Sequence, residues 1–260
     1  MKSLVLHTHT GLGDHIITNG MVHSFTEDYD KIYIPHIEIF SESINALYKG
    51  FNKVEPVPLP NIDINLDGRH LIQKIVDDTK SEYICIADPL LFYPFRIFFN
   101  SKGELEMRHV ATNFDRQFYE LAGMHFSIRY TDARIPASTE RSLEIYKQLT
   151  NEEDFILVHD ISSINVDLPL AIKDISKKAG LRVVKVTLDI SNNIFDLVDL
   201  IKRAKEIHVI PSSFFCIVDS IVKETTADLF LHNILIKYDA QTNCQWNDNR
   251  WNVIEYRNKY

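Results

Sequence analysis

Short runs of apolar and β-branched residues alternate along this chain with longer stretches whose apolar positions recur every three or four residues. "SLVLHTH" (3–9) has the first character and predicts a buried strand. "DHIITNGMVHSF" (14–25) has the second, with Ile16, Ile17, Gly20, Met21 and Phe25 on one helical face. The alternation continues through strand "KIYIPHI" (31–37), helix "EIFSESINALYKGF" (38–51) and the proline-broken strand "KVEPVPL" (53–59). Helix "DGRHLIQKIVDDTK" (67–80) and strand "EYICIA" (82–87) follow, and a long helix around 105–123 closes this half. A second series begins with strand "FILVHD" (155–160) and a helix near "LPLAIKDISKKAG" (168–180). It runs on through strand 181–187, helix 194–204, strand 206–211, helix 213–224 and strand 227–232.

Strands that alternate with helices imply parallel sheets covered on both faces. Because the series occurs twice, with its break inside 130–153, the expected fold is α/β with two Rossmann-like domains facing across a central cleft. The expected domains are 1–135 and 136–260. The tail "QWNDNRWNVIEY" (245–256) is expected to be ordered, since Trp246, Trp251, Val253 and Ile254 need burial.

Charge narrows the partners. A net charge of −8, from 28 basic and 36 acidic residues, argues against nucleic acid, which usually needs a basic face. A small phosphate ligand stays open, because a few oriented N–H groups suffice for it. Cys85, Cys216 and Cys244 are odd in number and widely spaced, and Cys85 and Cys216, in apolar runs, read as buried thiols of a reducing compartment. No run approaches the ~18 apolar residues of a membrane span, and "PLLFYPFRIFF" (89–99) is interrupted by Arg96 and two prolines. The expected location is the cytoplasm.

Three stretches carry candidate chemistry. In "LHTHTGLGD" (6–14), His7 and His9 alternate on one strand face and could share a metal ion. The later histidines supply no ligand-spaced partner, so polar lining is the plainer reading and no metal is expected. The Gly11-Leu12-Gly13 turn lets a ligand approach the backbone, and the helix start behind it favours an anion. Ile16 stands where a dinucleotide fingerprint needs its third glycine, which disfavours ordinary NAD binding. Asp14 is either a first-turn helix acid or, at a cleft, a general base. In "EIHVIPSSFF" (206–215), Ser212 and Ser213 open a helix at the end of a strand, which is an anion site or an ordinary cap. "ILVHDISS" (156–163) sets His159, Asp160, Ser162 and Ser163 at another strand end lining the same cleft. The nearby basic residue count is low, so neutralisation of a bound anion falls to hydroxyls, N–H groups, His159 or Lys185.

"GLGDHIITNGMVH" (11–23) resembles the N-terminal motif of the GT-B-fold glycosyltransferases related to the heptosyltransferases (family 9). "NFDRQFYELAGMHFSIRY" (113–130) is similar to the segment that closes the first domain in short members, and 204–221 resembles their donor-domain signature. The resemblance implies an inverting, metal-independent transfer of a sugar from a UDP-, GDP- or ADP-linked donor to a hydroxyl of a glycan or glycoconjugate. It places the base on Asp14 and the diphosphate on Ser212, Ser213 and the Phe214 amide, with Gly11, Leu12 and Gly13 facing the donor. Asp219 would either reach a ribose hydroxyl or face solvent on its helix, and His7, His9 and His15 would face the acceptor. The competing expectations are a metal-dependent phosphoesterase built on His7 and His9, and a nucleotide-binding module without turnover.

Overall fold

A computed structural model describes residues 2–8, 11–61, 68–86, 95–99, 105–109, 114–161, 174–175, 180–187, 189–233 and 250–255. Strands β1 (Ser3–His7), β2 (Lys31–Ile37), β3 (Val54–Leu59) and β4 (Glu82–Cys85) form one parallel sheet in the order β3-β2-β1-β4. Helices α1 (Leu12–Asp28), α2 (Ser41–Leu47) and α3 (Arg69–Thr79) alternate with them. β1 is buried along its whole length, as a strand covered on both faces should be. Pro56 and Pro58 fall on β3, a sheet edge, where a missing N–H is tolerated.

The second sheet is also parallel, in the order β11-β10-β9-β7-β8. Its strands are β7 (Phe155–His159), β8 (Arg182–Lys185), β9 (Glu206–Val209), β10 (Asp228–Asn233) and β11 (Trp251–Glu255). Between the sheets in sequence come a two-stranded antiparallel ribbon, β5 (Phe95–Phe99) with β6 (Leu105–His109), and helices α4 (Phe114–Leu121), α5 (Ile128–Thr131) and α6 (Glu140–Thr150). Helices α7 (Val198–Arg203) and α8 (Ser213–Ser220) flank β9.

The fold is therefore α/β with two Rossmann-like halves. Several expected elements are corrected. The helix expected over 105–123 begins only at Phe114, because Leu105–His109 pairs with Phe95–Phe99 as a strand. Helix 194–204 opens as a tight 3₁₀ turn, Ile194–Leu197, and helix 213–224 stops at Ser220 before a second such turn, Val222–Glu224. In the tail Trp251 is buried, but Val253 is exposed on the edge strand. The helix expected at 168–180, apart from residues 174–175 and Gly180, lies outside the described residues, as do Trp246 and Cys244. Cys85 and Cys216 are free thiols, half-buried and buried.

One apolar core runs through both halves, from Leu4, Met21, Phe118 and Tyr119 to Phe214, Leu229 and Trp251. Smaller clusters close the outer faces, Val5 with Leu59 and Ile72, and Ile156 with Val158. Among the described residues no helix is long and apolar enough to cross a membrane.

Candidate active site

Strand order decides where a ligand can enter. In the first sheet the chain moves outward from β1 to β2 and β3, then returns to add β4 on the other side of β1. In the second it adds β8 on one side of β7 and then β9, β10 and β11 on the other. The loops diverge at each reversal, leaving a crevice at the carboxyl ends of β1/β4 and of β7/β9. The sequence motifs stand at these two crevices.

At the first, His7 ends β1 and its Nδ1 lies 2.9 Å from the Tyr83 hydroxyl and 3.5 Å from Cys85 Sγ, both on β4. His15, in the first turn of α1, is buried with Nδ1 3.2 Å from Thr8 Oγ1 and its ring edge against His36. His36 Nδ1–H donates to the Ile34 carbonyl at 3.2 Å, which leaves Nε2 to accept from Ser41 at 3.1 Å. Burial holds the His36 pKa below the ordinary imidazole value, in keeping with that neutral tautomer. Gly11 is the extended residue ahead of α1, and its N–H donates to Asp14 Oδ2 at 3.1 Å. Asp14 thus satisfies one of the orphan donors of the helix start.

At the second crevice, Ser212 caps α8. Its Oγ accepts the Phe215 N–H at 3.4 Å, donates to the Ile210 carbonyl at 3.1 Å, and lies 3.5 Å from His159 Nδ1. The His159 ring stacks on Phe214, centroids 4.5 Å apart and planes within 6°. Burial, opposed by the neighbouring Asp160, pushes the His159 pKa down to about 4. His159 is therefore a neutral hydrogen-bonding group at physiological pH, not a cation. Lys185 at the end of β8 reaches Asp160 at 2.6 Å, so its charge is paired.

The two crevices meet. A Cβ built on Gly13 would stand 3.2 Å from Cys216 Sγ and 3.4 Å from the Ser213 Cα. The amino ends of α1 and α8, one from each half, therefore touch backbone to backbone. Two helix N-termini and their dipoles converge on one place, which favours an anion there.

No protein-family model matches the chain, and no curated protein does. Solved structures do. A family 9 glycosyltransferase from Veillonella parvula DSM 2008 superposes with a TM-score of 0.56 at 14% identity, over 100% of this chain and 88% of that one. The fold is that of the family 9 glycosyltransferases. E. coli ADP-heptose heptosyltransferase II gives 0.52 at 10% identity, over 98% of this chain and 90% of that one. The iron-containing dodecameric glycosyltransferase TibC from enterotoxigenic E. coli H10407 gives 0.57 at 11%, over 96% of this chain but 62% of its own.

Within this family 9 fold, the predicted residues separate into three groups. Gly11, Leu12, Gly13, Asp14, Ser212, Ser213 and Phe214 lie on the two helix starts, with His159 stacked beside them. His7, His15, Asp160 and Lys185 stand around them with the partners described above. Asp219 sits apart. Its side chain is 1% exposed, accepting from Arg129 Nη2 at 3.0 Å and from Trp251 Nε1 at 3.3 Å, so it is no solvent-facing helix residue. His9, Ser162 and Ser163 lie outside the described residues. Among the described residues no group of three or more His, Cys, Asp or Glu side chains is arranged to hold a metal ion.

Sequence reasoning missed Arg129, Asp115, His36 and Thr8. Arg129 carried a signal, since an arginine amid Phe126, Ile128 and Tyr130 needs a buried acid to pair with.

Proposed function

We propose that this chain is a glycosyltransferase that moves a sugar from a nucleoside-diphosphate sugar to a hydroxyl of a glycan or glycoconjugate, with inversion and without a metal. The observation that carries the reading is the contact of Gly13 with Ser213, which brings two helix N-termini to the meeting of two strand-end crevices. Residues 1–135 would hold the acceptor, with His7, His9 and His15 on its wall, and 136–260 the donor.

In the proposed step the acceptor oxygen attacks the anomeric carbon from the face opposite the diphosphate. Its proton passes to the Asp14 carboxylate as the new carbon–oxygen bond forms. The bond from the anomeric carbon to the β-phosphate oxygen breaks, and the electron pair leaves with the nucleoside diphosphate. The amides of Leu12, Gly13, Ser213 and Phe214 and the hydroxyls of Ser212 and Ser213 stabilise that departing charge. His159 contributes a hydrogen bond, and the Lys185–Asp160 pair borders the site. Asp219 is assigned no donor contact, because Arg129 and Trp251 already engage it.

TibC has been solved with ADP-D-β-D-heptose, so ADP-linked sugars head the donors to be tried. The test is consumption of the donor in the presence of an acceptor mixture, by wild type and Asp14→Asn. The reading expects turnover that survives chelation and falls by about 10²–10⁴-fold in Asp14→Asn. Turnover abolished by chelator, or unchanged in Asp14→Asn, would contradict it.

A further inference from the structure

Behind the site, three helices from both halves close a triangle, and one close contact marks each side. The α1–α8 side is Gly13 against Ser213 and Cys216. Two turns further along the same face of α1 is Gly20, where a Cβ would come within 2.3 Å of the Ile128 carbonyl oxygen of α5. The third side, α5 to α8, is Arg129. Its guanidinium bonds Asp115 of α4 through Nη1 and Asp219 of α8 through Nη2, with all three side chains at most 2% exposed.

The charges of this cluster are individually met. Asp115 Oδ1 accepts the Arg116 N–H at 2.9 Å in the first turn of α4, where a helix N-terminus tolerates negative charge. Asp219 also accepts from the Trp251 indole, and the Arg129 guanidinium lies over the Phe126 and Tyr130 rings. Burial is the largest influence and works to lower the Arg129 pKa, but Asp219, Tyr130 and Cys216 together outweigh it and the group is held above its ordinary value. Among the described residues, however, the Arg129 Nε is buried without a hydrogen-bond partner. A buried ion cluster that leaves one donor unmatched is a poor way to gain stability over an apolar core of the same shape. It is a good way to fix one geometry, since an arginine fork accepts carboxylates only along set directions.

Resting on the transferase reading above, we infer that Arg129 is a positioning residue. It holds α8 in register with α1, so that the Ser212–Ser213 turn faces Gly11–Asp14, and thereby sets the affinity for a nucleoside diphosphate it does not touch.

The test separates alignment from mere folding. In a Cys85→Ser, Cys244→Ser background, Cys216 is the single thiol, and its sulfur lies where Gly13 meets α8. The combined variant Asp115→Asn, Arg129→Met, Asp219→Asn removes all three charges together and so leaves no unpaired ion. Two readouts are compared with the background protein at matched thermal midpoints: the rate of Cys216 labelling by N-ethylmaleimide, and the dissociation constants of ADP, UDP and GDP. The expected result is labelling faster by about tenfold or more and nucleotide binding weaker by about fivefold or more. Arg129→Lys, which keeps the charge and loses the fork, is expected to show both effects in smaller degree, and it decides the matter if the combined variant does not fold. Labelling and binding that both stay at background values in a folded variant would overturn the inference and leave the transferase reading intact. Faster labelling with unchanged binding would overturn it as well. If the background protein binds none of the three nucleotides, the transferase reading fails and the inference that Arg129 sets nucleotide affinity falls with it.

Discussion

At the scale of single residues, the second half of the chain buries three imidazoles that stay neutral in the fold. Burial pushes His159 and His208 down to about 4, and burial together with His208 pushes His232 to about 3. His208 Nδ1 lies 2.9 Å from His232 Nε2, and its own Nε2 lies 3.3 Å from Glu206. The unfolded chain takes up these protons near pH 6.5, whereas the folded chain refuses them until far lower, so the unfolded state binds more protons in between. Stability must therefore fall as pH drops below about 6.5. Denaturant titrations at pH 7.5 and 5.5 are expected to differ by about 1 kcal/mol for each of the three histidines. Equal stability at the two values would contradict their buried, neutral state. Glu206, held above the usual carboxylate range by burial and by Asp228, acts in the opposite sense at the acid end. The same neutrality matters at the site, where His159 can order a ligand through hydrogen bonds but adds no charge. What the sequence could not reveal at this scale was pairing. Asp160 and Lys185 are 25 positions apart in the chain, yet share one ion pair, and Asp219 finds Arg129 across 90 positions.

At the scale of elements, the decisive contacts are between helix backbones, and glycine makes them possible. Gly→Ala inside a helix ordinarily stabilises by about 1 kcal/mol. At Gly20 the added carbon would meet the backbone carbonyl of Ile128, which cannot rotate away as a side chain could. Gly20→Ala is therefore expected to destabilise the protein by about 1–3 kcal/mol in equilibrium unfolding, and a stabilised variant would refute the close approach of α1 and α5. Many strands and helices were legible from their apolar pattern: "FILVH" is continuous, and in α3 Leu71, Ile72, Ile75 and Val76 recur on one face. Leu105–His109 was misread as helix because it leads directly into the helical pattern after it; its alternation of Leu, Glu, Met, Arg and His suits a strand too, and only the pairing with Phe95–Phe99 decides it. The GLGD and PSSF turns were legible as helix starts. Their mutual contact was not, since nothing local in either turn encodes a partner some two hundred residues away.

At the scale of the whole molecule, two parallel sheets present their chain-reversal crevices to one another, and a single apolar core ties the halves together. The proposed donor site is a consequence of that arrangement: neither helix start alone would distinguish a ligand site from an ordinary cap. Ser212 tests it, because the residue belongs to both readings. As a cap alone, Ser212→Ala costs about 1 kcal/mol of stability and changes no binding. As part of a diphosphate site, it also loses a hydroxyl aimed at the ligand. The most direct measurement is calorimetric titration of wild type and Ser212→Ala with ADP, UDP and GDP and with their sugar conjugates. Saturable one-to-one binding of at least one of these to wild type, weakened by about tenfold in Ser212→Ala, is the predicted result. No binding across the whole panel, or equal binding by both proteins, would contradict a nucleotide-sugar site between the two halves.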